Sequence, residues 1–410
     1  MTATPLRILY HHRIAATDGM RVHVAKLVEA LRARGHLVKV VGPGAGGETV
    51  QAGVATGLER AAERLRRTLP AAGYELLELL YNVPAYLRLR AATEAFRPDL
   101  IYERYNLFLF AGLLLKQRRG LPLLLEVNSP LARERAEFGG LRFRALARRC
   151  EAALWRGADV VLPVTHVLAG DVCRVRHGQG GVQVIPNGTD AERPADPLAA
   201  EPVRRRLGLG PDALVLGFVG FARAWHGLGW AIEALPILPP NTHLVIVGDG
   251  PVLKSLKTRA LELGIGARLH IAGSVPHDEV AAHIQIFDVA LQTAATAYAS
   301  PLKLFEYMGL GRAIIAPDQA NIREVLSAGR DALLFEPQSR DSFCSALQRL
   351  CGDAALRARL GAGARKTVRE TPLTWARNAE RIEGLARELI RRRPVSVGAG
   401  VPAASVAESP

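Results

Sequence analysis

The stretch SPLKLFEYMGLG, residues 300–311, reads as the start and body of a helix. Ser300 is a good N-cap, because its hydroxyl can accept from an orphan backbone N–H of the first turn. Pro301 suits the first helical position, where its missing N–H costs nothing. The N–H groups of Leu302 and Lys303 then lack helical partners and, with the positive dipole end, can receive an anion. Glu306 lies about one turn beyond Lys303, on the same face. Gly309 and Gly311 offer a C-terminal stop. The segment follows the strand-like Asp288–Gln292 and precedes the strand-like Ala313–Ala316. It is therefore a crossover helix, the unit of a parallel sheet. A cation, a helix N-terminus and a carboxylate on one face suit a ligand with phosphates at one end and hydroxyls at the other, as in a nucleotide sugar. An amphipathic core helix with a surface Lys–Glu pair is the competing reading, and the rest of the chain must decide.

Working outward, the same alternation fills the chain. Strands are expected at Leu6–His12, Leu37–Gly42, Asp99–Glu103, Pro122–Val127, Asp159–Val164 and Gly181–Ile185. Helices are expected at Arg21–Arg34, Leu58–Leu69, Tyr74–Phe96, Leu107–Arg118 and Arg133–Trp155. A second series begins at Leu214–Val219 and runs through His243–Val247, Arg268–Ala272 and Ala332–Phe335, with helices over most of Ser339–Arg393. The fold class is α/β: two Rossmann-like doubly wound domains facing across a cleft. The expected boundaries are 1–190, a Pro- and Ala-rich linker at 191–202, a second domain at 203–372, a final helix at 373–393 and a disordered tail at 394–410. In such sheets ligands bind outside the carboxyl ends of the strands.

At 410 residues the chain is long enough for two cores, and its 49% hydrophobic and 22% charged fractions are those of a globular protein. The formal charge is +14; seven of the 53 basic residues are Lys, leaving 46 Arg. This favours anionic partners, whether nucleotide diphosphates or anionic lipids. The Arg residues are dispersed and not interleaved with aromatics, so no nucleic acid is expected. Four cysteines without a CxxC argue against a zinc site or disulfide framework and for reduced thiols in a cytoplasmic protein. The N-terminal LRILYHH has no signal-peptide core and no run is long enough to span a bilayer, so membrane contact is expected to be peripheral, at the inner face. LERAAERLRRTL, residues 58–69, has the stripe of an interfacial helix, or of one packed on its own sheet.

Several constellations carry chemistry. GFVGFARAWHG, Gly217–Gly227, is a strand running into a glycine turn at Gly220. Its Arg223 and His226 can contact a diphosphate, Arg bidentately and His as a donor whose charge depends on pH. A solvent loop is the alternative. VIVGDGP, Val245–Pro251, lets backbone approach a ligand at Gly248, or is an ordinary strand–helix turn. LEVNSP places Glu126 and Asn128 on one side of a strand end, and YERYN places Glu103 and Arg104 at the previous one. These four are the polar groups expected nearest the reacting sugar, unless Arg104 and Glu126 form a structural ion pair. His11 and His12 end the first strand, one facing in and one out. GPGAGG at Gly42–Gly47 matches GxGxxG, but it follows the second strand and no helix begins directly after it, so a flexible loop is expected. No Asp-x-Asp or HExxH occurs, and no metal is expected.

In order and spacing, VAKLVEALRARGHLVKVV, VIPNGTD, GFVG…HG, VIVGDGP, LHIAGSVPHDEVAAHI and SPLKLFEYMGLGRAIIAP resemble glycosyltransferase family 4, the retaining GT-B enzymes. LEVNSPL and YERYN resemble a bacterial branch involved in cell-surface and exopolysaccharide assembly. The resemblance implies that Glu306 is the second Glu of the family's E-x7-E motif and binds the ribose hydroxyls. The first Glu of that motif would fall where this chain has Tyr298, at the donor sugar. The family's Arg-x4-Lys becomes Phe221 and His226, with Arg223 displaced two residues; Arg223, His226 and Lys303 would form the leaving-group clamp. Ser300, Leu302, Gly19, Gly220 and Gly248 would also face the donor, and Ser274 and Val275 the base. Asn128 stands where an active-site His often sits, and Asn187 joins Glu103, Arg104 and Glu126 on the acceptor side. Thr374 and Trp375 lie where the final helix crosses back to the first domain. The implied activity is metal-independent, cofactor-free transfer of a sugar from a nucleoside-diphosphate donor to a glycan or lipid-linked acceptor, with retention. A nucleotide-sugar epimerase of the same fold and a non-catalytic nucleotide-sugar binder stay open, and a nicotinamide oxidoreductase is disfavoured by the misplaced glycines.

Overall fold

The computed structural model describes residues 4–14, 19–43, 71–190, 197–371 and 373–392. The expected helix at Leu58–Leu69, most of the Gly42–Gly47 loop and the tail at 394–410 lie outside the described residues. The first sheet contains β1 (Arg7–His11), β2 (Leu37–Val41), β3 (Leu100–Arg104), β4 (Leu123–Val127) and β5 (Val160–Pro163). Their order is β2-β1-β3-β4-β5, and every pairing is parallel. The second contains β6 (Leu214–Val219), β7 (Thr242–Val247), β8 (Leu269–Gly273), β9 (Val289–Leu291), β10 (Ala313–Pro317) and β11 (Leu333–Phe335). Their order is β11-β10-β9-β6-β7-β8, again all parallel.

The apolar runs explain this arrangement. β3 and β4 are buried at every position, as strands covered on both faces must be. One apolar cluster around Leu9, Ile101, Leu125 and Trp155 fills one face of the first sheet, and another around Ile8, Tyr10, Leu100 and Leu124 fills the other. The second sheet has the same two-sided core, around Leu216 and Ile246 on one face and Val245 and Ile314 on the other. The chain reverses direction across each sheet, between β1 and β3 and between β6 and β9. Such switch points open crevices at the carboxyl ends of the strands. The second one lies between the loop of Gly220–Gly227 and the loop 292–301.

The final helix, Trp375–Arg391, belongs to the first domain by packing. Its Trp375, Ala379, Ile382 and Ala386 join Ile8, Val24 and Leu27 in one cluster. Arg34 pairs with Glu383 at 2.7 Å beside it. The chain segment at Thr189 runs parallel to Thr374, with Thr189 N–H donating to Leu373 at 3.0 Å.

Several expected elements differ. The single helix Arg133–Trp155 is two, Leu131–Phe138 and Arg144–Gly157, because Gly139 and Gly140 adopt φ of +97° and +86°. Tyr74–Phe96 is likewise Ala71–Leu80 and Asn82–Phe96. Pro84 has no N–H to continue the first ladder. Gly181–Ile185 makes only one isolated bridge, Val161 to Val182, although Gln183 and Ile185 also bond back to the β5 edge. A helix at His166–Arg176 was not anticipated. Another, Pro197–Arg206, begins inside the stretch read as a linker.

Candidate functional site

The opening helix spans Leu302–Gly309, one residue later than expected. Pro301, with φ of −69° and ψ of 115°, is the N-cap, so Ser300 is not. The Ser300 hydroxyl instead accepts from the Asn187 N–H at 3.4 Å. Leu304 N–H closes the first turn onto Pro301. The N–H groups of Leu302 and Lys303 have no partner among the described residues. Lys303 Nζ sits 3.9 Å from the Phe218 ring centroid, beside Gly220 at the end of β6. It forms no ion pair among the described residues. Burial lowers its pKa to about 7, against the opposing pull of Glu306.

Arg223 lies between two rings, 4.8 Å from Phe221 and 4.9 Å from Trp225, and likewise forms no ion pair among the described residues. His226 Nδ1 accepts from the Arg223 N–H at 3.2 Å, and its ring lies 5.3 Å from Phe218. Burial, then Lys303 and Arg223, push the His226 pKa down to about 3. The structure thus brings Arg223, His226 and Lys303 together. It corrects one point: His226 is a neutral imidazole across the physiological range and not a pH-dependent charge.

Glu306 lines a cleft pocket with Leu302, Lys26, Asp190, His277 and Trp375, which come from both domains. The pocket encloses about 540 Å³, counting its open mouth. Ser274 and Val275 follow β8 and lead into the helix His277–Gln285, whose Val280, Ala281 and Ile284 form one wall. Gly19 begins the helix Gly19–Ala33, whose Val22 and Lys26 form another. Gly248 is a correction. A Cβ there would meet the Gly220 carbonyl at 2.3 Å, so its bare face receives the protein's own backbone and not a ligand.

The acceptor-side residues form a buried network. Glu126 accepts from Tyr102 at 2.7 Å, Arg104 at 2.7 Å and Asn128 at 2.5 Å, and lies 3.0 Å from His23 Nε2. Burial alone would raise the Glu126 pKa, but His23 and Arg104 hold it far below the usual carboxylate range. Arg104 and Glu126 are therefore the structural ion pair that competed with the acceptor reading. Glu103 is also internal: its carboxylate sits 2.5 Å from His11 Nδ1 with both side chains buried, a contact that leaves it no acceptor surface. Burial of the neighbouring His12 imidazole lowers its pKa to about 4. Asn187 is 5% exposed and acts as a strut, donating to the Ser300 carbonyl while its Oδ1 meets His23 at 2.7 Å. Asn128 alone of this group is partly exposed.

Sequence reasoning missed His23, the hinge of this network, which stands edge-on to Trp375 at 5.1 Å. The available signal was its place on the buried stripe of the first helix, one turn before Leu27.

Tyr298 is the largest correction. It is 5% exposed and packs into the apolar cluster of the first domain, not against a donor. Its hydroxyl donates to Glu134 at 2.7 Å, Arg133 lies over its ring at 5.3 Å, and its carbonyl accepts from Thr165 at 3.0 Å. Among the described residues no three His, Cys, Asp or Glu side chains converge as a metal site, and no helix is long and apolar enough to cross a membrane.

Residues 17–193 match the family model described as Glycosyltransferase Family 4, and residues 200–367 match Glycosyl transferases group 1. A D-inositol 3-phosphate glycosyltransferase of Stackebrandtia nassauensis is 32% identical over 233 residues, 52% of this chain and 50% of that protein. The chain thus spans about half the length of that relative. A D-inositol 3-phosphate glycosyltransferase of Xylanimonas cellulosilytica is 24% identical over 403 residues, 92% of this chain and 93% of that protein. The crystal structure of Anabaena HepE with UDP-glucose shares the fold, with a TM-score of 0.73 at 17% identity, over 93% of this chain and 100% of that one.

Proposed function

The chain belongs to glycosyltransferase family 4, of the GT-B fold, and from this we propose that it moves a sugar from a nucleoside-diphosphate donor to a hydroxyl on a glycan or lipid-linked glycan. In this reading configuration is retained and no metal takes part. One observation carries it: a half-buried Lys303 that has no ion pair among the described residues, at a helix N-terminus whose first N–H groups have no partner among those residues, beside Arg223 and His226. A buried cation of this kind is costly unless an anion arrives.

The second domain holds the nucleotide. Glu306 takes the ribose hydroxyls, and Ser274 and Val275 offer backbone to the base. Lys303, Arg223 and the N–H groups of Leu302 and Lys303 stabilise the charge that develops on the departing diphosphate. The first domain holds the acceptor near Asn128. The leaving phosphate oxygen takes the acceptor proton, so no side chain need act as base. Closure of the cleft excludes water and suppresses hydrolysis of the donor. UDP-glucose in the HepE structure supports a nucleoside-diphosphate sugar as the donor class.

A thermal-shift screen of UDP-, GDP-, ADP- and dTDP-sugars identifies the donor, and the hit is then titrated against K303A and E306A. Unchanged affinity in both variants would overturn the site. Product analysis with donor and no acceptor separates transfer from epimerisation, which would convert the donor alone.

A specific feature favours peripheral contact with an anionic membrane. Leu76, Leu80, Val83 and Leu87 are 57%, 58%, 62% and 57% exposed, at helical spacing across Ala71–Leu80 and Asn82–Phe96. Co-flotation with anionic liposomes at low salt is expected; its absence removes the membrane face.

A further inference from the structure

Within the opening segment and its flanking loop, Tyr298 has no place in the phosphate or ribose contacts, yet it is the best-anchored side chain there. Its ring is buried in the other domain, and both its hydroxyl and its carbonyl bond to that domain. The helix that receives it, Leu131–Phe138, starts just after Asn128 at the end of β4. The same helix reaches the second donor loop, where Phe138 meets Trp225 at 5.3 Å. One short helix therefore touches the loop carrying Arg223 and the loop leading to Lys303.

We propose that Tyr298 is a positioning residue: by inserting into the first domain it locks the loop 293–301 in its transfer geometry only while the two domains are docked. The proposal rests on the glycosyl-transfer reading. The hydroxyl bond to Glu134 is charge-assisted, which makes it strong and directional. The Thr165 bond fixes the loop backbone three residues before Pro301, the N-cap of the anion site. A second lock lies nearby: the Glu324 carboxylate accepts from the His166 and Val167 N–H groups at 2.7 and 3.1 Å, capping a first-domain helix from the second domain. A carboxylate at position 298, as the family motif would place there, could not occupy this seat, because it would face Glu134 from within an apolar cluster. In this chain a donor contact has become an interdomain one. The phosphate, ribose and base contacts assigned to Lys303, Arg223, Glu306 and Ser274–Val275 all lie on the second domain, so nucleotide binding is then separable from transfer, which needs the docked pair.

The test uses the full chain and the donor found by the thermal-shift screen. Tyr298→Ala should lower kcat for transfer by about tenfold or more while UDP or GDP affinity stays within about twofold, the split expected of an interaction made only in the reacting state. Donor hydrolysis should rise relative to transfer. Tyr298→Phe and Glu134→Ala should each give a smaller loss, and the double variant no more than either, since they share one bond. Glu134→Gln, which keeps an accepting oxygen, should restore most of the rate. X-ray scattering of nucleotide-free Tyr298→Ala should show a larger radius of gyration than wild type with unchanged helical content. An unchanged kcat, a loss of nucleotide affinity matching the loss of rate, or an unchanged radius would each overturn the proposal. If the wild type transfers no sugar, the functional reading fails, and the scattering comparison alone decides the interdomain lock.

Discussion

Lys303 is the residue on which the site turns. Its folded pKa of about 7 lies below the ordinary value of 10.5. Between these values the unfolded chain holds more protons than the folded one, so this residue's contribution to stability rises with pH across the window. Below it, the cost of burying the charge is fully present. A bound diphosphate reverses the balance by holding the proton. Nucleotide affinity should therefore fall as pH rises above about 7, by at most about tenfold per unit. Calorimetry near pH 8 in buffers of different ionisation enthalpy should show proton uptake on binding, and K303A should abolish it. K303A should weaken nucleotide binding by about 1.5–3 kcal/mol, the range for a hydrogen bond to a charged group. Glu126 shows the opposite sign. Its folded pKa is depressed, so its contribution is present above about pH 4.5, its ordinary value, and is lost as pH falls. Glu126→Gln leaves Arg104 buried without a countercharge and should destabilise by about 3–5 kcal/mol in urea unfolding. Both residues were visible in the sequence as strand-end and helix-start charges. Their surroundings were not, because a side chain's desolvation depends on neighbours far away along the chain.

At the scale of elements, alternation of apolar runs with amphipathic stretches located each of the eleven strands among the described residues to within two residues. It failed where backbone conformation overrides pattern. Gly139 and Gly140 break a continuous basic helix, and the apolar stripe continues past the break. The capping reading of Ser300 failed because the hydroxyl has a competing partner in Asn187, 113 residues away. Glycines in the strands are constrained by packing. A Cβ at Gly217 would lie 2.0 Å from the Phe287 ring, so Gly217→Ala should cost about 1–3 kcal/mol by overpacking. Because β6 leads directly to Gly220, the same variant should also weaken nucleotide binding; a folded protein with wild-type melting temperature would contradict this.

Across the whole molecule, the two sheets are joined by more than the linker. Trp375 is 5% exposed and seats the returning helix against His23 and the first-domain core. Trp375→Ala should cost about 3–5 kcal/mol, the range for removing a buried Trp side chain. It should also loosen the coupling between domains, so that calorimetry resolves two transitions where the wild type shows closer to one. A single, merely shifted transition would mean that the locks at Tyr298 and Glu324 suffice.

The sequence by itself determined the class of fold, the two-domain division and the identity of the phosphate-binding candidates. These depend on local quantities: hydrophobic period, helix-start chemistry and the order of motifs along the chain. Only the tertiary structure decided which polar groups face a ligand and which face each other. Glu103, Glu126, Asn187 and Tyr298 all read as site residues, and all are consumed by internal partners. A buried polar group must be paired, and whether its partner is a substrate or the protein is settled by contacts spanning 22 to 164 positions in the chain.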